Sequence, residues 1–320
     1  MPALPPPFRN PLIPGRLMSV ALGLSGLAVL VLMQRTGLGI ALYTRGFLAM
    51  AGAIAVLALL RLMLRRYQSP MRRRLCDFSE HALMFAGTCL LGALASYPAA
   101  AETSGFADAR LYRLDRDLHF NWLWWYGEVS ASPFLQVAGV AAYASIYVTP
   151  LILLGWFAWH RQKAEARLFL ATFWLAALFT LLLFPLFPAE GPLAFLWRGP
   201  IPYMPTSALY QEQLIPVLRH HALRAVDLGA LRGLVCAPSF HTAAGLVYMA
   251  AAWPVRRLRW IVLPVNVAML LATPVEGTHY LADMIAGGGV ALAAIVVVRA
   301  LVGVWRPAPA FAVMQRRVAA

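Results

Sequence analysis

The sequence predicts an all-α, polytopic membrane bundle of about eight transmembrane helices, with a helical cap on the extracytoplasmic side. Composition is the first observation that predicts it: 61% of the 320 residues are hydrophobic and only 12% are charged, unlike a soluble domain. The second is that long apolar runs recur along the chain, most of them near the length that a bilayer core requires. A third is the uneven distribution of charge between the segments that join these runs.

Eight apolar runs give the predicted spans. They cover about residues 17–34, 46–64, 81–101, 134–158, 168–187, 238–255, 260–277 and 280–304. The first run has no convincing small-residue cleavage site, which favours an uncleaved anchor over a signal peptide. We divide the chain into a tail (1–16), an N-terminal pair of helices (17–66), a membrane domain (80–304) and a second tail (305–320), with both tails cytoplasmic.

Membrane topology explains the net charge of +14, because most of the basic residues lie on one side of the predicted spans. The segments on the side of the two termini hold 18 of the 27 basic and 3 of the 13 acidic residues. By the positive-inside rule this side is cytoplasmic, so we expect a bilayer and no nucleic acid as partner. Lys163 is the single lysine, a bias typical of GC-rich genomes, which favours a bacterial inner (plasma) membrane.

Two long hydrophilic stretches, 102–133 and 188–237, lie on the outer side in this topology. The first has apolar side chains at helical spacing: Leu111, Leu114, Leu118, Trp122 and Trp125. This pattern predicts a helix lying in the membrane interface with aromatic rings at headgroup depth. A packed cap helix without a substrate role fits the spacing equally well.

Two histidines are predicted to reach the same outer face. His241 begins the sixth run within Pro238-Ser239-Phe240-His241, and His279 follows the seventh. Asp283, four residues after His279, shares its helix face, where a carboxylate can fix one imidazole tautomer and stabilise the cation. Ionisable residues at membrane spans are costly and are usually functional.

This set of side chains can transfer a phosphoryl group without a metal. We predict His279 as the nucleophile, Asp283 as the group that orients it, and His241 as the acid for the leaving oxygen. The helix start at Ser239 offers backbone N–H groups to an anion. Glu276, just before the Gly-Thr-His turn, either caps the outer end or tunes His279.

Positive groups for the phosphate oxygens are available just before that helix. Arg219, Arg224 and Arg232 lie in the preceding loop, and arginine can bind phosphate oxygens bidentately. The cysteines at 76, 89 and 236 are scattered, with neither a disulfide framework nor metal-ligand spacing. We therefore expect no cofactor and no metal.

At these residues the chain resembles the type-2 phosphatidic acid phosphatase superfamily. Pro238, Ser239 and His241 match its Pro-Ser-x-His signature, and His279 and Asp283 match His-x-x-x-Asp. A closer likeness is to the branch that contains fungal inositol phosphorylceramide synthase and its bacterial relatives. The segments that carry this likeness are His279-Tyr280, Asp283-Met284-Ile285-Ala286-Gly287, Leu218 to Gly229, Pro188 to Pro192 and the segment with Asp108 and Asp115.

The resemblance implies a lipid phosphatase or phosphotransferase domain at 80–304, in which the third-motif histidine is the nucleophile and the second-motif histidine the acid. These roles agree with those inferred from the residues. The superfamily's first signature, a lysine followed by Arg-Pro, is not visible, and Thr273 replaces an expected arginine. The phosphate site must therefore be built differently, with Arg219 as the first candidate, then Arg224 and Ser239.

The sequence thus predicts a membrane enzyme that transfers or hydrolyses a phosphoryl-containing group of a lipid phosphate through a phosphohistidine. An inositolphosphotransferase-like enzyme is preferred, and a phosphatase of lipid phosphate or polyprenyl pyrophosphate is the alternative. The acceptor is water or a hydroxyl, and oligomeric state is not indicated. Two other classes stay open: a transporter, whose relay would lie nearer the bilayer midplane, and a haem protein with the two histidines as axial ligands.

Overall fold

The computed structural model describes residues 13–65 and 69–304. The predicted tails up to residue 12 and from 305, together with Arg66, lie outside these residues. The helices are α1 (Gly15–Arg35), α2 (Arg45–Arg65), α3 (Pro70–Ala101), α4 (Asp108–Asp117), α5 (Trp122–Ala131), α6 (Pro133–Trp159), α7 (Lys163–Leu183), α8 (Pro192–Leu196), α9 (Tyr210–Arg219), α10 (Phe240–Ala252), α11 (Arg256–Glu276) and α12 (Leu281–Val304). Two 3₁₀ turns, Phe184–Leu186 and Leu228–Ala230, and two short strands, β1 (Gly39–Ile40) and β2 (Ala225–Val226), complete the described elements.

Seven of these helices are long and apolar enough to cross a membrane, which confirms the all-α membrane bundle. They are α1, α2, α3, α6, α7, α11 and α12. The remaining predicted span, 238–255, corresponds to α10, which has 13 residues. At 1.5 Å per residue it is about 20 Å long, shorter than the roughly 30 Å hydrocarbon core. Pro238 and Pro254 bracket it, and each lacks the N–H that would continue a helix.

The short helix α10 lies inside the bundle. It packs against α6, α7, α11 and α12, and Ala243, Ala244, Val247 and Tyr248 are buried in the largest hydrophobic cluster. Because protein surrounds this helix, it does not need the length that lipid contact would require.

The third membrane helix begins earlier than its apolar run. It starts at Pro70 rather than near residue 81, and Ser69 caps it by accepting the Arg72 N–H at 3.3 Å. The added turns carry Asp77 and Glu80, whose charges are paired. The ion pairs are Lys163–Asp77 (2.6 Å), Arg61–Glu80 (3.0 Å) and Arg167–Glu80 (3.2 Å). Hydropathy ends the predicted span at these charges, whereas their pairing lets the helix continue.

The N-terminal helices α1 and α2 both pack on α3. The connection between them contributes β1, which pairs in parallel with β2 in the loop that leads to α10. Two-residue strands are too short to show an alternating pattern, so the sequence analysis did not predict this pairing. The division of the chain into an N-terminal pair and a separate membrane domain stays a prediction.

The cap contains two helices, α4 and α5, where one interfacial helix was predicted. The chain turns between them at His119, whose φ is 58°, and the Asn121 side chain caps α5 by accepting the Trp124 N–H at 3.1 Å. Trp122 is 1% exposed, and its Nε1 donates to the Pro274 carbonyl at 2.7 Å. The buried indole shows that the cap packs on the end of α11, although Trp124 remains 58% exposed.

Candidate active site

His279 and Asp283 form a buried hydrogen-bonded pair where α12 begins. Nδ1 of His279 lies 2.9 Å from Oδ1 of Asp283, and each residue is at most 2% exposed. The other carboxylate oxygen, Oδ2, accepts the Tyr280 N–H at 2.8 Å, which fixes the orientation of the carboxylate. An ionised Asp283 requires a proton on Nδ1, and in the neutral ring this leaves the lone pair on Nε2.

The start of α10 docks directly on this pair. The Ser239 N–H donates to the Asp283 carbonyl at 3.0 Å, and Ser239 Oγ lies 3.4 Å from Nε2 of His279. Ser239 also caps α10, because its Oγ accepts the Thr242 N–H at 3.3 Å. Gly287 permits this approach, since a Cβ there would collide with the Ser239 carbonyl. The two motifs predicted to cooperate are therefore in contact.

His241 lies beside His279, as topology predicted. Their ring centroids are 5.6 Å apart with planes at 63°. The Tyr143 hydroxyl lies 2.7 Å from Nε2 of His241, and the two rings stack with centroids 4.6 Å apart. The hydroxyl and the stacking together hold the His241 ring.

The turn before α12 leaves no room for a side chain next to His279. A Cβ at Gly277 would lie 2.6 Å from Cδ2 of His279 and 3.1 Å from the Tyr143 hydroxyl. Thr278 follows with a φ of 50°, in the left-handed region. Gly277 therefore allows the turn to place the His279 ring beside Tyr143 and His241.

Both histidines line a cavity of about 280 Å³ inside the bundle. Side chains of α3, α6 and α7 form apolar walls that include Phe85, Ile146, Phe173 and Leu181. Polar side chains of the outer stretch 188–237, namely Ser207, Gln211 and Arg232, lie along the same cavity. The cavity can therefore hold an apolar chain together with a polar group.

The structure brings only one of the three candidate arginines to this cavity. Arg232 lines it, with its guanidinium 4.8 Å from the centroid of the Tyr210 ring. Arg219 instead donates from Nε to Thr103 Oγ1 at 3.0 Å, and its guanidinium lies 4.4 Å from the centroid of the Phe106 ring. The Arg224 carbonyl accepts the Gly39 N–H at 2.8 Å, at the β1–β2 pair. Arg219 and Arg224, which were predicted to bind substrate, are thus held outside the described lining of the cavity.

Two buried carboxylates of α4 hold the segment that carries His279. Asp115 accepts the Ala282 N–H at 2.8 Å and the Leu281 N–H at 3.1 Å. Asp108 accepts the Tyr280 hydroxyl at 2.9 Å. Burial raises the pKa of the Asp115 carboxyl to about 6, and the charge of Asp283 also raises it, while the two amide hydrogen bonds lower it. Burial also raises the pKa of the Asp108 carboxyl, and its hydrogen bonds lower it, so both carboxylates depend on their hydrogen bonds to remain ionised.

Glu276 ties the outer loop to the end of α11. Its carboxylate accepts the Tyr203 hydroxyl at 2.6 Å, the Thr206 hydroxyl at 2.6 Å and the Thr206 N–H at 3.0 Å. Its carbonyl accepts the Ser207 N–H at 2.9 Å. Because Thr206 and Ser207 line the cavity, Glu276 anchors part of the cavity wall. This bonding favours a structural role over the tuning of His279 that the sequence left open.

Three side chains at the site could hold a metal ion. The ligand atoms of Cys236, His279 and Asp283 lie within 4.8 Å of one another. The Cys236 thiol is 3.8 Å from Oδ2 of Asp283. Sequence spacing could not reveal this cluster, because Cys236 is 43 residues from His279. A metal there would use Nε2 of His279 or displace the existing His279–Asp283 hydrogen bond.

The sequence analysis did not identify Tyr143, and it ranked Arg232 below Arg219 as a candidate for the phosphate site. Tyr143 stands in an apolar span that also contains Tyr147, and hydropathy does not distinguish the two. Only packing shows that Tyr143 contacts His241, whereas Tyr147 is 73% exposed. The contacts of Asp115 were likewise invisible, although the resemblance had marked its segment.

Seven long apolar helices, with the buried His279–Asp283 pair beside the half-buried His241, fit an integral membrane protein of the lipid phosphatase type. The chain belongs to the PAP2 superfamily: residues 109–297, more than half of its length, match that family's model. The matched region runs from α4 into α12 and includes both histidines and Asp283. No curated protein and no solved structure matches the chain.

Proposed function

We propose that this protein is a lipid phosphotransferase that passes a phosphoryl-containing group from a lipid donor to a hydroxyl acceptor, in the manner of an inositolphosphotransferase. The observation that carries the proposal is the His279–Asp283 pair, beside His241, on one apolar cavity. With water as the acceptor, the same site would be a phosphatase of lipid phosphate or polyprenyl pyrophosphate. Membership of the superfamily supports an enzyme over the transporter and the haem protein.

The first half-reaction forms a phosphohistidine. The lone pair on Nε2 of His279 attacks phosphorus, a P–N bond forms, and the P–O bond to the leaving group breaks. Protonated His241 gives its proton to the leaving oxygen. Asp283 stabilises the positive charge that develops on the His279 ring, because it accepts the hydrogen bond from Nδ1.

The second half-reaction regenerates the pair. An acceptor O–H enters where the leaving group was, and His241, now neutral, takes its proton. The new O–P bond forms as the P–N bond breaks, and the electron pair returns to Nε2 of His279. Water and an alcohol follow the same steps, so occupancy of the acceptor position decides between hydrolysis and transfer.

We assign the binding of the negatively charged phosphate to Arg232 and to the backbone N–H groups at the start of α10. Arg232 is the one arginine or lysine on the cavity among the residues described, and its planar fork can bind two phosphate oxygens. In the first turn of α10, Ser239 accepts two backbone hydrogen bonds: its Oγ accepts the Thr242 N–H and its carbonyl accepts the Ala243 N–H. The two N–H groups before them have no helical acceptor and can face an anion. Ser239 Oγ adds a hydroxyl at the same place.

A lipid is the substrate class that the cavity supports. Its walls of phenylalanine and aliphatic side chains offer an apolar chain a favourable environment. The uneven charge of the two sides supports a site on the extracytoplasmic face, and the single lysine, Lys163, supports a bacterial inner membrane. We further propose that the reaction needs no metal, because His279 and Asp283 already engage each other.

The test combines acceptors with a trapped intermediate. Purified protein is incubated with a panel of lipids labelled with ³²P in the headgroup phosphate, with and without inositol and other alcohols, in EDTA. We expect label in an alcohol product and an alkali-stable, acid-labile phosphoprotein. His279→Ala should lose both and lower turnover by about 10⁴-fold or more, because the reaction would lack its nucleophile.

The control variant is His220→Ala, which changes an exposed histidine that does not line the cavity and should keep activity. Inorganic phosphate as the sole product with every alcohol would establish the phosphatase alternative. Near-normal turnover by His279→Ala would overturn the mechanism. Loss of all activity in EDTA, with recovery on adding a divalent cation, would overturn the metal-free assignment.

A further inference from the structure

Helix α4 presents two buried carboxylates on one face. Asp108 and Asp115 are seven residues apart, which is two helical turns, and each is 1% exposed. Their oxygens bind backbone N–H groups and one tyrosine hydroxyl, and neither forms an ion pair with arginine or lysine within the described ranges. An unpaired buried carboxylate is costly to keep ionised, so these bonds must offset a substantial desolvation cost.

Asp115 caps α12 from outside that helix. The first N–H groups of a helix have no acceptor within it, and Asp115 accepts those of Leu281 and Ala282, one with each oxygen. A negative charge at a helix N-terminus is also favoured by the helix dipole. The two bonds join α4 of the cap to the residues between His279 and Asp283.

Asp108 supports the same segment through Tyr280, the residue directly before Leu281. One of its oxygens accepts both the Tyr280 hydroxyl at 2.9 Å and the Gly191 N–H at 3.0 Å, and the other accepts the Glu190 N–H at 3.0 Å. Tyr280 directly follows His279 and is fully buried. The residues from 280 to 282 are thus bound to α4 at three points.

We propose that Asp115 is a positioning residue for the phosphoryl transfer, which it serves by holding the backbone of α12 so that Asp283 meets Nδ1 of His279. This inference rests on the proposed function. Among the residues that the structure describes, the Asp115 carboxylate is hydrogen-bonded to these two amides and to neither histidine, so it acts through the geometry of the His279–Asp283 pair. Small misplacements of a reacting group can cost about 10²-fold in rate, and a shift at Leu281 or Ala282 would move both ends of that pair.

The position favours a carboxylate over a neutral cap. A serine or asparagine oxygen satisfies one helix N–H as well as aspartate does, yet here each carboxylate oxygen has its own amide. Asparagine has one acceptor oxygen, and its NH₂ group would face a donor N–H. Asp115→Asn therefore removes one of the two bonds while changing little in volume.

The experiment measures kcat and KM with p-nitrophenyl phosphate for Asp115→Asn and for its matched control, Asp117→Asn. Asp117 lies on the same helix but is exposed. We expect Asp115→Asn to lower kcat by about ten- to a hundredfold while KM changes by less than about twofold. Asp117→Asn should leave both constants unchanged.

A double-mutant cycle separates positioning from a general effect on folding. If Asp115 acts through the His279–Asp283 pair, Asp115→Asn should cost far less in an Asp283→Asn background, because coupled residues are not additive. An equal loss in both backgrounds would overturn the proposal. So would wild-type kcat in Asp115→Asn.

A second variant, Asp115→Ser, retains a short acceptor and guards against failure to fold. If neither variant gives folded protein while Asp117→Asn does, Asp115 determines the fold rather than the position of the pair, and the proposal is overturned. A wild-type protein that turns over no phosphate ester or labelled lipid would instead be a failure of the proposed function.

Discussion

At the residue scale, His279 and His241 have the same side chain but different hydrogen-bond partners. His279 has a carboxylate on Nδ1, whereas His241 has a tyrosine hydroxyl on Nε2. A carboxylate partner favours the charge that a nucleophilic imidazole develops, while a neutral hydroxyl orients its partner ring without adding charge. These partners support the assignment of His279 as nucleophile and of His241 as acid and base.

The phosphate site gives the first residue-scale prediction. Arg232→Lys should lower kcat/KM for p-nitrophenyl phosphate by about tenfold or more, because an ammonium cannot reproduce bidentate binding. Arg219→Lys is the matched control and should change kcat/KM by less than about threefold, since Arg219 is bonded to Thr103 outside the cavity. The measurement is a steady-state comparison of the two variants with the wild type.

The reverse ranking would contradict this assignment. A large loss in Arg219→Lys with a normal Arg232→Lys would restore the arginine that the sequence resemblance favoured. It would also mean that the cap rearranges when substrate binds, because Arg219 would have to leave Thr103 and Phe106.

At the element scale, the site depends on how closely two helices approach. The start of α10 and the first turns of α12 meet where Gly287 faces the Ser239 carbonyl. Gly287 lies one turn after Asp283, so any displacement there changes the Ser239–Asp283 hydrogen bond as well. The contact explains in physical terms why glycine stands at this position of the Asp-x-Ile-x-Gly segment.

Adjacent glycines provide the test of this contact. Gly287→Ala should destabilise the protein by about 1–3 kcal/mol, because the new methyl group meets backbone that cannot move cheaply. It should also lower activity, since Ser239 would be displaced from His279. Gly288→Ala should be nearly silent, because its Cβ would lie 3.5 Å from the end of the Leu246 side chain. Melting temperature and turnover of both variants are compared.

If the Gly287→Ala variant had the wild-type melting temperature and turnover, α10 and α12 could move apart without loss of stability or activity. The contact between the two motifs would then not be required for activity. Damage from both variants would point instead to a general intolerance of bulk along this face of α12.

At the scale of the whole molecule, charge and site lie at opposite ends of the bundle. The start of α3 carries the ion pairs with Arg61, Lys163 and Arg167, whereas its last turns pack against α9 and the loop that follows α9. The histidines lie with the cap, through the contacts of α12 with α4. The positive-inside rule then predicts a cytoplasmic start of α3 and an extracytoplasmic site.

Labelling of single cysteines tests this orientation. Gln213→Cys, exposed on α9 beside the cap, should react with an impermeant thiol reagent added to intact cells. Met71→Cys, 47% exposed at the start of α3, should react only after the membrane is opened. Cys76 and Cys89 are replaced by serine in both, while Cys236 is buried and can stay. The opposite labelling pattern would place the site in the cytoplasm.

Much of the site could be predicted from sequence because its geometry is local or topological. The four-residue spacing places His279 and Asp283 on one helix face, and the alternation of spans brings His241 to the same end. The choice among Arg219, Arg224 and Arg232 could not be predicted in this way. All three lie in one hydrophilic stretch, residues 188–237, and only the packing of that stretch decides which of them reaches the cavity.

By itself, the sequence determined the membrane bundle and the pairing of its two motifs, because hydropathy and helical period act over short stretches of chain. Tertiary structure alone decided that α10 is a short enclosed helix, that Tyr143 holds His241, and that Asp115 caps α12 from a helix 166 residues earlier in the chain. These features depend on contacts between distant segments, and spacing along the chain carries no record of which of them meet.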